Sequence, residues 1–133
     1  MSSIPIGTRG KASETVTERK TASAVASGAV PTFATPAMIA LMERASVNAI
    51  RRYLDEGQES VGTLVNVTHL APTPVGRRVQ AEAEVTAVDG RKIAFRVRAS
   101  DPVEMIGEGI HERVLVDRAK FVWKAATKGS GLA

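Results

Sequence analysis

The sequence predicts an α+β domain in which a curved antiparallel sheet of about five strands wraps around one long central helix. Residues 36–54 contain no internal glycine or proline and are apolar around most of a helical circumference. One segment of alternating polar and apolar residues precedes this helix, and about four such segments follow it. A helix that is apolar on most sides needs a sheet around it, so we expect a single domain over residues 1–133, with flexible tails at 1–12 and 125–133.

The predicted helix has a start signal and a stop signal. We expect the Thr35 side chain to cap free N–H groups, and Pro36 suits the first helical position because its missing N–H would bond nothing there. Gly57 lies just past the end, near Leu54, where a left-handed residue terminates helices. Both signals fit a helix over residues 36–54.

Glu43 is the acidic exception within the apolar part of this helix. Ile39, Val47 and Ile50 project close to it on a helical projection. An ionised carboxylate there would lose hydration, so it needs a charged partner, a local water or a proton. The helix alone is equally compatible with a structural carboxylate and with a chemical group.

Two segments lead the chain to the helix. Residues 13–24 are rich in threonine that alternates with charged residues, which predicts a polar, partly exposed first strand. Residues 24–33 are mostly small and include glycine and proline, which predicts a loop that covers a pocket near the helix start.

A strand follows the helix and ends at His69, just before Ala71-Pro72. Strand alternation places Val61, Thr63, Val65, Val67 and His69 on one face, and Gly62, Leu64, Asn66 and Thr68 on the other. A side chain at a strand end is rigidly supported yet reachable, so His69 is a candidate functional residue. The alternative is a half-buried histidine bonded to a backbone carbonyl, which is favoured when His69 is considered alone.

The remaining strands form a hairpin and a long final strand. A three-residue loop at 88–90, with a left-handed glycine, pairs odd positions with odd ones and sets Ala83 opposite Phe95. The final strand is predicted over residues 103–124, with Gly107, Gly109, His111 and Arg113 on one face. For Arg113 we favour structural bonding or interface pairing over contact with a ligand.

Composition excludes several classes of function. The chain has a net charge of +4, no cysteine and two histidines. Disulfides, thiolate metal sites and cysteine nucleophiles are therefore excluded, and two histidines are too few for a histidine-rich metal site, so we expect no metal. Basic residues are scattered in pairs with almost no aromatics for base stacking, so we expect no nucleic-acid partner. No run approaches the roughly 20 apolar residues of a membrane span and no signal-peptide core is present, so we expect a cytoplasmic protein with no membrane partner.

Four segments of the chain resemble a known family. They are FATPAMIALME (33–43), VGTLVNVTHLAPTP (61–74), VDGRK (88–92) and IGEGIHER (106–113). Together they resemble the hot-dog-fold thioesterases of the fluoroacetyl-CoA thioesterase family. The segments cover most of the chain from Phe33 to Arg113, in the order and at the spacing of that family, so the resemblance is more specific than a shared fold.

The resemblance implies a hydrolase of acyl-CoA thioesters that uses a threonine, a glutamate and a histidine. These catalytic residues correspond to Thr35 in Phe-Ala-Thr, Glu43 in Leu-Met-Glu and His69 in Val-Thr-His. The family also implies a homodimer with its acyl pocket and CoA channel at the subunit interface, and no cofactor beyond the coenzyme A of the substrate. We expect substrate-binding contacts from Phe33, Ala34, Gly62, Asn66 and Arg113. Whether dimers pair into a dimer of dimers stays open.

One segment departs from the family pattern. Fluorine-selective members carry bulky aromatic residues in a lid before the helix, whereas residues 24–30 here read AVASGAV. The substrate expected from this difference is an ordinary short or medium acyl-CoA. An acyl-carrier-protein thioester is equally compatible, because it presents the same pantetheine arm.

Two other functions are compatible with the hot-dog fold. Hydratases and dehydratases of this fold resemble one another through an aspartate and a histidine a few residues apart, and no histidine follows Asp101-Pro102 at that spacing. The non-enzymatic alternative is a module that binds acyl-CoA without hydrolysing it. The joint presence of Thr35, Glu43 and His69 argues against that alternative.

Helix geometry limits the mechanism. Thr35 and Glu43 are eight residues apart, about 12 Å along the helix axis, so they cannot both contact one atom unaided. Either His69 bridges them, or the working set combines residues from two subunits. Glu43 can act as a nucleophile, as a base or as a group that orients His69, and the sequence does not choose between these roles.

Overall fold

A long helix lies on one face of a five-stranded antiparallel sheet in the computed structural model, which describes residues 3–129. The elements in chain order are β1 (Arg9–Thr15), α1 (Thr35–Ile50), β2 (Gln58–His69), β3 (Arg78–Asp89), β4 (Lys92–Ser100), β5 (Met105–Asp117) and α2 (Arg118–Gly129). Short 3-10 turns lie at Glu18–Lys20 and Arg51–Tyr53. The predicted α+β architecture is confirmed.

The strand order in the sheet is β1-β3-β4-β5-β2, and every neighbouring pair is antiparallel. α1 crosses the inner face, chiefly over β1 and β3. The core between helix and sheet includes the buried side chains Met38, Leu41, Met42, Ile50, Val79, Val85, Ile93, Phe95 and Ile106. Full burial of a side chain of this size stabilises the fold by about 1.5–3 kcal/mol, so this layer fixes α1 on the sheet.

β2 is an edge strand, and its outer edge is open among residues 3–129. Leu64 and Val65 on β2 and Ile110 on neighbouring β5 are exposed apolar residues. The adjoining side of α1 is only partly covered, since Ile39 and Val47 are half-buried. The single chain therefore covers α1 on fewer sides than its apolar sequence predicts, and an open strand edge of this kind favours pairing with another chain.

The first strand lies nearer the N-terminus than predicted. β1 spans Arg9–Thr15 instead of residues 13–24 and pairs with β3. Gly10 and Ala12 are small buried residues that let β1 lie close to α1, whereas the alternation further along the chain is almost entirely polar. Residues 9–12, predicted as part of a flexible tail, are therefore strand.

The C-terminal part of the chain is helical where the sequence predicts a strand. β5 ends at Asp117, and α2 follows directly. The Asp117 side chain accepts a hydrogen bond from the Lys120 N–H at 3.0 Å, which is a helix N-cap and explains the change from strand to helix. Residues 125–129, predicted as tail, belong to α2, and the tail predictions for residues 1–2 and 130–133 lie outside the described residues.

The β3–β4 hairpin has a two-residue turn instead of the predicted three-residue loop. Asp89 pairs with Lys92 across the turn, and Gly90 has the predicted positive φ, 60°. A bulge after Val85 shifts the register by one residue, so that Val85 lies opposite Phe95. The bulge, and not the loop length, therefore brings odd positions opposite odd ones.

Candidate active site

The Thr35 side chain bonds to His69 and does not cap α1. The N-cap residue is Ala34, so Thr35 is the first residue of the helix and Pro36 the second. Thr35 Oγ1 lies 2.8 Å from His69 Nδ1. The predicted capping role of Thr35 is wrong, because the backbone starts the helix one residue earlier and directs the hydroxyl to the imidazole at the end of β2.

His69 is a half-buried imidazole with one hydrogen-bonded nitrogen. Nε2 is buried and has no hydrogen-bond partner among residues 3–129. Burial lowers the pKa of His69 below its usual value, and the backbone of Ala71 partly opposes this effect. The ring is therefore neutral at neutral pH, and a neutral imidazole can accept the proton of the Thr35 hydroxyl or of a water.

Thr35 and His69 lie in a cleft of about 340 Å³. Its other walls include Phe33 beneath the pair and Ser27, Gly28 and Val30 from the loop before α1. The sequence predicts this loop to cover a pocket at the helix start, and the structure confirms that it lines one. Phe33 and Ala34 are both buried, but of these two only Phe33 lines the cleft.

A second cleft of about 340 Å³ lies on the outer face of the sheet, far from this pair. It is lined by Arg9, Gly10, Lys11, Glu82, Ala83, Glu84, Arg96 and Arg98. Arg9 pairs with Glu84 at 3.4 Å and Lys11 with Glu82 at 3.5 Å, and all four side chains are partly or largely exposed. With no hydroxyl and no imidazole in its lining, this cleft is a solvated charged surface and not a reaction site.

Glu43 lies at the outer end of a buried polar network. Its Oε2 accepts a hydrogen bond from Arg113 Nη1 at 3.0 Å and lies 3.9 Å from His111 Nε2. The Glu43 side chain is 39% exposed, whereas those of Arg113 and His111 are 8% and 2% exposed. The predicted need for a partner is confirmed, but the carboxylate is more exposed in the single chain than its apolar neighbours in sequence suggest.

Arg113 is held in place by Ser60 on β2. Nε donates to Ser60 Oγ at 2.8 Å, and Nη2 donates to the Ser60 carbonyl at 3.0 Å. Nη1 lies between Glu43 Oε2 at 3.0 Å and His111 Nε2 at 3.1 Å. These bonds agree with the structural role favoured for Arg113, and they fix one oxygen of the Glu43 carboxylate.

A bulge in β2 places Gly62 under Glu43. The register shifts between Gly62 and Leu64, so Gly62 lies opposite Arg113 on the inner face. The sequence predicts Gly62 on the face opposite His69, which is wrong because alternation does not anticipate the bulge. A Cβ at Gly62 would lie 2.5 Å from Glu43 Oε2, so only glycine leaves this carboxylate its position.

The structure brings together two pairs of the predicted residues but not the whole set. Thr35 contacts His69, and Glu43 contacts Arg113 over Gly62. Asn66 lies opposite the exposed Ile110 on the outer face, away from both groups. His69 is seven positions after Gly62 on β2, about 23 Å of extended chain, so Glu43 does not join the Thr35–His69 pair within one chain.

Two residues of the site escape the sequence prediction. His111 is placed on the correct face of β5 but is given no role there, although a histidine two residues before an arginine on one strand face indicates contact between them. Ser60 precedes the family segments, and no pattern in the sequence points to it. Within the described part of the chain, no three histidine or acidic side chains are arranged to hold a metal ion.

The fold and these polar groups define a hot-dog protein of the thioesterase superfamily. A solved structure of the fluoroacetyl-CoA thioesterase FlK superposes with a TM-score of 0.90 at 37% identity, over 96% of this chain and 98% of that chain. A thioesterase superfamily member from Thermus thermophilus superposes with a TM-score of 0.88 at 30% identity, over 100% of both chains.

Sequence comparison narrows the class. The chain belongs to the family of fluoroacetyl-CoA-specific thioesterases, whose profile matches residues 16–119. The fluoroacetyl-CoA thioesterase of Streptantibioticus cattleyicolor is 46% identical over 96 residues, which is 72% of this chain and 69% of that protein. The family match spans every residue predicted for the site, from Phe33 to Arg113, and confirms the resemblance seen in the four segments.

No helix within residues 3–129 is long and apolar enough to cross a membrane.

Proposed function

We propose that this protein hydrolyses a short or medium acyl-CoA to the free acid and coenzyme A, at a site that a second copy of the chain completes. The observation that carries the proposal is the 2.8 Å contact of Thr35 Oγ1 with His69 Nδ1 inside a cleft. Membership of a thioesterase family supplies the reaction class. The relative from Streptantibioticus cattleyicolor is named for fluoroacetyl-CoA, and the thioester linkage is what we carry over from it.

The loop beside the cleft supports an ordinary acyl chain. Its residues 24–30 are all small, and Val30 is the largest of them that lines the cleft. Phe33 lines the cleft beside the helix start, but none of residues 24–30 adds an aromatic side chain to the space of about 340 Å³. A cleft with this loop accepts an acetyl or a longer acyl group, and the loop supplies no aromatic filter for fluorine.

Hydrolysis adds water to the thioester carbonyl, breaks the C–S bond and leaves a proton on the coenzyme A sulfur. Arg113 holds Oε2 of Glu43, so Oε1 is available to take a proton from water or to attack the carbonyl carbon. The neutral His69 and the Thr35 hydroxyl can move the proton to the leaving thiolate. The N-terminus of α1, where Pro36 lacks an N–H, presents its remaining backbone N–H groups to the developing oxyanion.

The open edge of β2 supports a dimeric site. An antiparallel, two-fold pairing of this edge with that of a second copy would cover Leu64 and Val65. It would also place the start of one β2 beside the end of the other, because antiparallel strands run in opposite directions. The Glu43 group of one subunit would then face the Thr35–His69 pair of its partner. A dimer of dimers and a cytoplasmic location stay predictions.

Release of free thiol from a series of acyl-CoA thioesters tests the proposal. We expect wild-type protein to hydrolyse short or medium members, and His69→Ala to lose about 100-fold or more in kcat/KM because general acid–base catalysis contributes that much. Thr35→Ser should stay within about threefold, whereas Thr35→Val should lose at least about tenfold. Thr17→Val, at an exposed threonine outside the cleft, is the matched control.

Two outcomes would contradict the proposal. Binding of coenzyme A without thiol release from any thioester, including those of an acyl-carrier protein, would indicate a binding module. Thiol release that His69→Ala leaves unchanged would place the chemistry elsewhere in the molecule.

A further inference from the structure

We infer that His111 is a positioning residue, which holds Arg113 and through it sets the orientation of the Glu43 carboxylate. The inference deepens the proposed function, since Glu43 is the carboxylate assigned to hydrolysis there. His111 lies below the site and does not itself reach the cleft of Thr35 and His69.

The His111 ring is fixed on every side. It projects from the inner face of β5, and its side chain is 2% exposed. The ring stacks on Phe95 of β4, with 6.1 Å between centroids and 27° between planes. Nδ1 lies 2.8 Å from the carbonyl of Leu64 on β2, and Nε2 lies 3.1 Å from Arg113 Nη1.

The two contacts of the ring require the same tautomer. A carbonyl oxygen only accepts hydrogen bonds, so Nδ1 of His111 carries the proton and donates to Leu64. A guanidinium group only donates, so Nε2 offers its lone pair to Arg113 Nη1. His111 is thus a neutral ring that donates at one nitrogen and accepts at the other.

Burial keeps this ring neutral. It lowers the pKa of His111, and the Arg113 charge acts in the same direction. The Leu64 carbonyl and the carboxylates of Glu43 and Glu112 oppose these effects, but the net shift is downward. The neighbours of His111 across the sheet, Val65 on β2 and Phe95 on β4, carry no charge.

His111 connects the two features that place the Glu43 carboxylate. Arg113 Nη1 lies between Glu43 Oε2 and His111 Nε2, so the imidazole fixes the direction in which this nitrogen points. Leu64, which accepts the other bond, closes the β2 bulge that puts Gly62 under the carboxylate. Glu43 is thereby held by Arg113 on one side and limited by the Gly62 backbone on the other.

Two substitutions separate these contacts. In His111→Asn the amide reaches the position of Nδ1 and keeps the bond to Leu64, but leaves Arg113 Nη1 with one acceptor fewer. In His111→Gln the amide reaches the position of Nε2 and keeps an acceptor for Arg113. We expect His111→Asn to lower kcat about tenfold with little change in KM, because a hydrogen bond to a charged group is lost, and His111→Gln to stay within about threefold.

A double-mutant cycle shows whether His111 acts through Glu43. In a Glu43→Gln background, His111→Asn should lower kcat by no more than about twofold, because the group it positions is already gone. Glu112→Gln, on the outer face of the same strand, is the matched control and should leave kcat unchanged. Equal losses from both His111 variants, adding to that of Glu43→Gln, would make His111 a structural residue only and overturn the inference.

Nitrogen-15 NMR of the histidines in wild-type protein tests the contact without any activity. We expect His111 at neutral pH to be protonated at Nδ1 and unprotonated at Nε2. A ring protonated at Nε2, or a cationic ring at pH 7, would overturn the inference. If wild-type protein hydrolysed no acyl-CoA while His111 had the expected tautomer, the proposed function would fail and the contact between His111 and Arg113 would stand.

Discussion

The Thr35–His69 pair and the Glu43 network are both polar groups at β2, but they are supported very differently. His69 has one hydrogen bond from its side chain, to Thr35, and its other nitrogen has no partner among the described residues. Arg113, in contrast, has four contacts with Ser60, Glu43 and His111. The Thr35–His69 pair is therefore free to exchange protons, whereas the network around Arg113 fixes the position of the Glu43 carboxylate.

The positions of the two groups along β2 explain this difference. His69 is the last residue of the strand, where the backbone turns away and both Leu70 and Ala71 donate to the Ile106 carbonyl. The Glu43 network lies nearer the strand start, beside a bulge at which Arg113 and His111 are buried. A strand end gives access, and the buried hydrogen bonds of Arg113 and His111 give rigidity. A hydrolase needs both properties, and within one chain the Thr35–His69 pair and the Glu43 network lie too far apart to act together.

The largest expected effect follows from that separation. The His69→Ala protein and the Glu43→Gln protein should each lose about 100-fold or more in kcat. If the site combines Glu43 of one subunit with His69 of the other, a purified mixed dimer of the two variants contains one intact site. It should therefore recover about half of wild-type activity, measured as thiol release.

The converse mixed dimer is the control for this experiment. When one subunit is wild type and the other carries both substitutions, each of the two shared sites contains one substituted residue, so the dimer should be inactive. About half of wild-type activity in this dimer, with none in the first, would show that each chain works alone.

A smaller effect is expected from Gly62→Ala. The added Cβ would lie 2.5 Å from Glu43 Oε2, so the carboxylate must move. Oε2 is the end of a flexible side chain, but the Cβ would also lie 3.2 Å from His111 Cε1 and 3.3 Å from Arg113 Nη1, which are buried. The melting temperature should therefore fall by no more than about 5 °C, whereas kcat should fall about tenfold as the charge is displaced. Gly129→Ala, where a Cβ meets nothing within 4 Å, should change neither quantity. A large loss of stability with unchanged kcat would mean that Gly62 serves the fold and not the carboxylate.

Much of the site is visible in the sequence because it departs from regular patterns. Glu43 interrupts an apolar helix, and His69 ends a strand at a proline-rich segment. Both anomalies are local, so a single sequence shows them, and the resemblance of the family segments then implies roles for them. The long helix and the antiparallel strands are predictable for the same reason, since period and length identify them.

The features that escape prediction all depend on contacts between elements. The bulge in β2 moves Gly62 to the inner face, and the bulge in β3 sets the hairpin register. The Thr35 hydroxyl bonds to His69 because Ala34 is the N-cap residue and Thr35 is already in the helix, which the Thr-Pro signal does not show. Bulges and bonds of this kind arise from packing, so neither alternation nor a cap motif reports them.

The smallest expected effect is a loss of stability at mildly acidic pH, to which His69 and His111 contribute by different amounts. Burial lowers the pKa of both His69 and His111 in the folded protein below the usual value of about 6.5. The unfolded chain therefore binds more protons as pH falls through about 6.5, and the free energy of unfolding decreases between that pH and the lower folded-state pKa values. Above about pH 7 this contribution to stability is fully present.

Melting temperatures between about pH 7 and pH 5.5 measure this effect, since the carboxylates there change little. We expect a fall of a few degrees in wild-type protein. His111→Gln should remove more of the fall than His69→Gln, because His111 is buried and His69 only half-buried. A melting temperature that stayed constant or rose towards pH 5.5 would mean that folding does not lower the pKa of His69 and His111. Burial would then not be what keeps these two rings neutral.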